Sequence, residues 1–156
     1  MVEMKSEPYT ITFGIIGAGR IGKLHADNLL SHVKGAKLKT VTDPFLDEEW
    51  AASRNIPVTG KDHRIMLDDP EIDAILIGSP SPEHASQMIE CARAGKHIFC
   101  EKPIALDPEI IRNALAEVDK SGVKLQVGFN RRFDPNFAAV QQQVASGALG
   151  EPHIIR

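Results

Sequence analysis

The feature that most restricts the fold of this chain is the stretch from Ile11 to Leu30, ITFGIIGAGRIGKLHADNLL. An apolar run suited to a buried strand passes into a glycine turn and then an amphipathic helix, with Gly17, Gly19 and Gly22 spaced as G-x-G-x-x-G. Each glycine answers a separate steric demand. Gly17 permits the tight turn out of the strand, Gly19 lets a diphosphate approach bare backbone, and Gly22 lets helix and strand pack closely. Free N–H groups and the positive end of the helix dipole converge on the turn, so a dinucleotide pyrophosphate can be held there without a lysine. The same turn also occurs where strand and helix merely pack, so a second signal is needed.

That signal is a carboxylate at the end of the second strand, which hydrogen-bonds the adenosine ribose and falls about 20 residues further on. Asp43 stands at this distance from Gly22 and closes the strand-like run AKLKTVT over 36–42. Asp43-Pro44 also suits a plain turn. The ordered arrival of strand, glycines, helix, strand and acid favours the ribose role. Gly17 to Lys23 can be read as G-x-x-x-x-G-K, a phosphate loop of nucleoside triphosphatases, but that motif needs Ser or Thr next to ligate magnesium, and the residue is Leu24. Lys23 is then expected to be a solvated side chain of the first helical turn.

Strand and helix signals alternate along the rest of the chain, which predicts an α/β fold: a Rossmann-type, doubly wound parallel sheet with helices on both faces. The first helix is predicted over 20–33, with Ala26, Leu29, Leu30 and Val33 as its inward stripe. Short helices are expected over 46–54 and 64–67, with a brief strand at 57–59 between them. The run over 73–78 is almost wholly apolar, as in a strand covered on both faces. Ser81 is expected to cap the next helix, with Pro82 in its first turn, Ala85, Met88, Ile89 and Ala92 facing inward, and Gly95 ending it. A strand over 97–100 follows. Asp107 caps the next helix, Pro108 starts it, Ile111, Ala114, Leu115 and Val118 form its stripe, and Gly122 stops it. A sixth strand over 124–129, a helix over 135–146 and a further strand starting at 153–156 complete the pattern. The expected organisation is a tail over 1–10, a dinucleotide-binding domain over 11–147, and at 148–156 the start of a truncated second α/β domain.

Composition enters mainly by exclusion. With 156 residues, 42% hydrophobic and 25% charged, the chain can bury a core of ordinary size. A net charge of −3 gives no electrostatic case for binding nucleic acid or an acidic membrane. No secretory signal or run of 18 apolar residues is present, so a cytoplasmic location is expected. Cys91 and Cys100 read as reduced core thiols. The six histidines are scattered without H-x-x-x-H spacing, so no metal site is expected.

The segments GIIGAGRIGKLHADNL, TDP, IGSPSPEHASQMIECARAGKHIFCEKPIAL and GFNRRFDPNF together resemble the Gfo/Idh/MocA family of nicotinamide-dependent oxidoreductases, and among its members the inositol 2-dehydrogenases most. Glu101-Lys102-Pro103 after a fifth strand is the specific part of that likeness. The resemblance covers nearly all of the chain from Ile11, but only the amino-terminal half of a typical member, whose second domain binds substrate and supplies a catalytic Asp and His. It implies that Gly17, Gly19 and Gly22, with Arg20 and Ile21, hold the pyrophosphate of NAD. Asp43 would take the ribose and, by repelling a 2′-phosphate, favour NAD over NADP. Ser79 and Pro80 would line the nicotinamide side of the cleft. His84 would lie near the cofactor or else serve as a capping or packing residue. Lys102 would be the catalytic cation beside the substrate hydroxyl, favouring the developing alkoxide, and Glu101 would orient its ammonium or pair with it. The Lys102–Pro103 bond is a candidate for the cis form. Asn130, Arg131 and Arg132 would border the nicotinamide and polyol pocket, with one arginine facing the cleft; Phe133 would line it or cap the core.

The functional expectation is the NAD domain of a dehydrogenase acting on a secondary alcohol of a cyclic polyol or sugar, myo-inositol or a relative, inactive as this chain alone and homo-oligomeric when whole. The alternatives are a stand-alone NAD-binding or sensing module and an inactive truncated piece. An ending on a capped helix or polar tail would suit the sensor better.

Overall fold

The strand signals of the sequence become one six-stranded parallel sheet in the computed structural model, which describes residues 10–154. In chain order the elements are β1 (Ile11–Ile16), α1 (Arg20–Ser31), β2 (Ala36–Thr42), α2 (Glu48–Ser53), β3 (Val58–Gly60), α3 (Arg64–Leu67), β4 (Ala74–Ile77), α4 (Ser81–Arg93), β5 (His97–Cys100), α5 (Pro108–Ser121), β6 (Leu125–Val127), a 3-10 turn (Asn130–Phe133) and α6 (Pro135–Ala145). The strand order is β3-β2-β1-β4-β5-β6. The chain therefore winds outward from β1 in one direction, then returns to lay β4 on the other side of β1. That reversal opens a crevice at the carboxyl ends of β1 and β4, where open α/β sheets bind ligands.

Alternate residues of each strand feed two separate cores. Ile15, Val41 and Leu76 pack with Ala26, Leu29, Trp50 and Ala51 on the face covered by α1 and α2. Ile16, Ile75, Ile77, Ile98 and Cys100 pack with Met66, Met88, Cys91, Ala114 and Val118 on the face covered by α3, α4 and α5. Burial on both faces explains why every residue of β4 is apolar.

Several local expectations shift. Helix α1 stops at Ser31, and Leu30 and Val33 are 42% and 48% exposed. Gly22, Ala26 and Leu29 are the buried residues of α1, because the chain must already turn toward Gly35 and β2. Ser81 is not a cap: Pro80 holds the N-cap position and Ser81 begins α4. Leu115 is also 37% exposed, leaving Ala114 and Val118 as the fully buried residues of α5. His153 and Ile154 form no strand, and Ile155 and Arg156 lie outside the described residues, as does the expected tail up to residue 9. Helix α6 buries none of its residues.

Candidate active site

The glycine turn meets its steric requirements in the expected way. Gly17 has φ +91°, and a Cβ on it would come 2.6 Å from the Ser79 nitrogen at the end of β4. A Cβ on Gly22 would collide with the Gly17 carbonyl, so the close passage of α1 over β1 admits only hydrogen there. Gly19 faces open space. It is also the N-cap of α1, which has no side-chain cap and no acidic residue in its first turn. By contrast, Asp47, Asp107 and Asp134 cap α2, α5 and α6 with their carboxylates. The first-turn N–H groups of α1 are thus left for an outside anion, in a setting where the dipole adds about 0.3–1 kcal/mol. A diphosphate fits this cradle, by its charge and by the room above Gly19.

The turn opens onto a cleft of about 650 Å³, lined by Gly17, Gly19, Arg20, Ile21, Asp43, Ser79 and Pro80 among others. Asp43 does more than face it. One carboxylate oxygen accepts from the Ala18 amide at 2.7 Å and the other from the Phe45 amide at 2.7 Å, while the Asp43 amide donates to the Gly60 carbonyl at 3.0 Å. The acid therefore makes the turn that Asp43-Pro44 suggested and also braces the glycine loop. Each oxygen keeps a lone pair for a further donor such as a ribose hydroxyl. Phe45, Lys61, His63, Glu83 and Gln87 line the cleft as well and were not singled out from the sequence. Lys23 is not simply solvated: its ammonium pairs with Asp47 at 2.7 Å and lies over the Trp50 ring.

Behind the cleft, His84 is buried and joins two loops. One ring nitrogen lies 2.7 Å from the Ser79 carbonyl and the other 2.8 Å from the Pro103 carbonyl. It therefore packs as a tie between the end of β4 and the Lys102–Pro103 turn, whose peptide bond is cis. Ser79 also donates its hydroxyl to Gln87 at 2.6 Å. Lys102 is exposed at the end of β5. Glu101 does not take up its ammonium: one carboxylate oxygen is 2.8 Å from the His25 ring and the other accepts from the Lys102 amide at 3.2 Å. Glu101 and Asn130 share a second hollow of about 340 Å³ with His25, Phe99, Gln126, Gly128 and Phe133. Arg131 stacks over Phe137 of α6 at 4.3 Å, and Arg132 is exposed, as is Phe133, which therefore does not cap the core. Burial pushes the Cys91 and Cys100 thiols up to about 12, which suits packing rather than chemistry. Among the described residues no group of three or more His, Cys, Asp or Glu side chains could hold a metal ion.

Residues 11–129 match the profile of the Gfo/Idh/MocA oxidoreductase family, NAD-binding Rossmann fold. The chain belongs to this family. That family is one of NAD-binding oxidoreductases, and the glycine cradle lies within the matched residues. The oxidoreductase YrbE of Bacillus subtilis (strain 168), itself uncharacterized, is 48% identical over 148 residues, covering 94% of this chain and 43% of its own length. An inositol 2-dehydrogenase of Rhizobium meliloti (strain 1021) is 42% identical over 146 residues, covering 94% of this chain and 44% of its own length. The crystal structure of scyllo-inositol dehydrogenase from Lactobacillus casei with bound NAD(H) and scyllo-inositol superposes with a TM-score of 0.84 at 36% identity, over 90% of this chain and 42% of that one. The chain thus spans less than half the length of these relatives. No helix among the described residues is long and apolar enough to cross a membrane.

His25 is the residue near the family's Glu-Lys-Pro segment that sequence reasoning passed over. Its signal was present: it stands at i+3 from Gly22 on the sheet-facing stripe of α1 that continues to Ala26 and Leu29. Its partner, 76 residues away, was not visible from spacing.

Proposed function

We propose that this chain is the NAD-binding part of a dehydrogenase that removes hydride from a secondary alcohol of a cyclic polyol or sugar, an inositol or a close relative. The observation that carries the reading is the glycine turn at the uncapped start of α1 braced to Asp43, one anion cradle and one ribose acceptor held as a unit on the same carboxyl edge of the sheet from which β5 leads to Lys102. The substrate class is supported by the inositol dehydrogenases among its relatives. NAD, when bound, supplies the hydride acceptor.

In this reading Gly17, Gly19 and Gly22, with Arg20 and Ile21, receive the pyrophosphate, and Asp43 takes the ribose hydroxyls and disfavours a 2′-phosphate. Ser79 and Pro80 line the nicotinamide side of the cleft, with His84 and Glu101 supporting it from behind. Lys102 stabilises the alkoxide that develops as hydride leaves the carbinol carbon. Asn130, Arg131 and Arg132 border the polyol. The proton of the hydroxyl goes to a base outside these 156 residues, so this chain alone does not turn over. We assign residues 148–156 to the start of a second domain, and take the whole protein to be a cytoplasmic homo-oligomer acting on a small molecule rather than on nucleic acid.

Calorimetric titration with NAD and NADP, for the wild type and Asp43→Ala, tests the cofactor part. NAD is expected to bind and NADP to bind at least about tenfold more weakly, with Asp43→Ala costing NAD a comparable factor. Equal binding of both cofactors by wild type and variant would refute the role of Asp43. A longer chain that oxidises neither inositols nor related cyclic sugars would refute the substrate class.

A further inference from the structure

His25 has no part in the chemistry described so far, yet its partner Glu101 sits one residue from Lys102. The two side chains are only 19% and 15% exposed and approach to 2.8 Å. The His25 ring also meets Phe99 of β5 edge-on, with centroids 5.3 Å apart and the planes at 64°. On its other side the Glu101 carboxylate is closed off by the end of β6, since a Cβ on Gly128 would lie 3.1 Å from the carboxylate carbon. Its second oxygen accepts from the Lys102 amide at 3.2 Å. Helix α1, the end of β5 and the end of β6 therefore meet at a single carboxylate.

We propose that His25 is a positioning residue for Lys102, acting through Glu101 and the main chain rather than through the Lys102 side chain. A carboxylate can accept from several donors at once, but its orientation is set only when both oxygens are engaged. The His25 bond holds one oxygen, which leaves the other directed at the Lys102 amide. Because His25 lies on the helix whose first turn borders the cofactor cleft, the same contact ties the position of Lys102 to that of α1. A surface ion pair of the ordinary kind would lack all three features: partial burial, a second bond to the neighbouring peptide, and a packed ring behind the donor. The consequence for hydride transfer rests on the role proposed for Lys102; the coupling itself does not.

The test uses the isotope-labelled 156-residue chain at neutral pH without cofactor, following the Lys102 amide resonance and its hydrogen exchange. In the wild type this amide is expected downfield and protected. His25→Leu should move it upfield and lower its protection by roughly tenfold or more, as for loss of a charge-assisted hydrogen bond. His25→Gln, whose side-chain amide reaches about as far as the imidazole Nε2, should restore both. Glu101→Met, which removes both carboxylate oxygens at similar length, should reproduce the His25→Leu change without loss of the fold, and the double variant should add little to either single one. The Ala18 amide, held by Asp43, should stay in place throughout. An unmoved Lys102 amide in His25→Leu, no rescue by His25→Gln, or fully additive single effects would overturn the proposal. A wild type that fails to bind NAD in a parallel titration would count against the proposed function and leave the coupling to be judged by the amide alone.

Discussion

Gly17 and Gly19 stand two residues apart in the same motif, yet the structure gives them different duties. Gly17 combines φ +91° with a neighbour that would sit 2.6 Å from any Cβ, and that neighbour is backbone, which cannot step aside. Gly19 has φ −70°, which any residue adopts, and faces open space. Gly17→Ala is therefore expected to destabilise the domain by more than about 1 kcal/mol and to abolish NAD binding with it. Gly19→Ala should leave the unfolding midpoint unchanged and weaken NAD binding about tenfold or more, because its methyl group occupies the room meant for the diphosphate. Thermal unfolding and calorimetry on the two variants separate these outcomes. Equal loss of stability in both would show that the turn serves packing alone. The steric demand on Gly17 was legible in the sequence because it follows from spacing within one turn. The brace from Asp43 to the Ala18 amide was not, since it joins residues 25 positions apart through the pairing of β1 with β2.

Helices α5 and α6 present the same local signals and different tertiary circumstances. Both begin with an Asp cap followed by Pro: Asp107 accepts from the Glu109 amide, and Asp134 from the Asn136 and Phe137 amides. Helix α5 then buries Ala114 and Val118 in the core beside α4, whereas α6 buries nothing. Asp107→Ala should lower the stability of the domain by about 1 kcal/mol, a fall of a few degrees in its midpoint. Asp134→Ala should loosen α6 by a similar amount without moving that midpoint, because a helix uncoupled from the core does not share its unfolding transition. A drop of equal size for Asp134→Ala would mean that α6 packs on the domain after all. The Asp107 cap made α5 readable from sequence, whereas the Asp134 cap of α6 was not singled out. Which of them carries a core was not readable, because the apolar residues of α6, such as Phe137 and Val140, resemble a buried stripe until the sheet is placed.

For the molecule as a whole, the buried thiols set its behaviour in alkali. An unfolded cysteine loses its proton near 9, while Cys91 and Cys100 hold theirs to about 12 in the fold because burial disfavours the thiolate. The unfolded state is therefore the first to ionise, and stability, full below pH 9, declines as pH rises from about 9 to about 12. The slope is at most about 1.4 kcal/mol per pH unit for each thiol. Lys39, held above its ordinary value by Asp69 and Glu71, adds a loss of the same sign as pH climbs through that raised value. Denaturant unfolding at several alkaline pH values should show this decline, and Cys100→Ala should flatten it; an unchanged slope in the variant would refute the assignment. What the sequence determined by itself is what short-range physics controls: the apolar runs of the strands, the Asp107 cap of α5, the glycine turn and the spacing to Asp43. The order β3-β2-β1-β4-β5-β6, the meeting of His25 with Glu101 and the tie of His84 to Pro103 were decided only by tertiary structure. Those contacts join residues whose separation along the chain carries no period, and they come into being only when the crossovers stack α1 and α4 on opposite faces of one sheet.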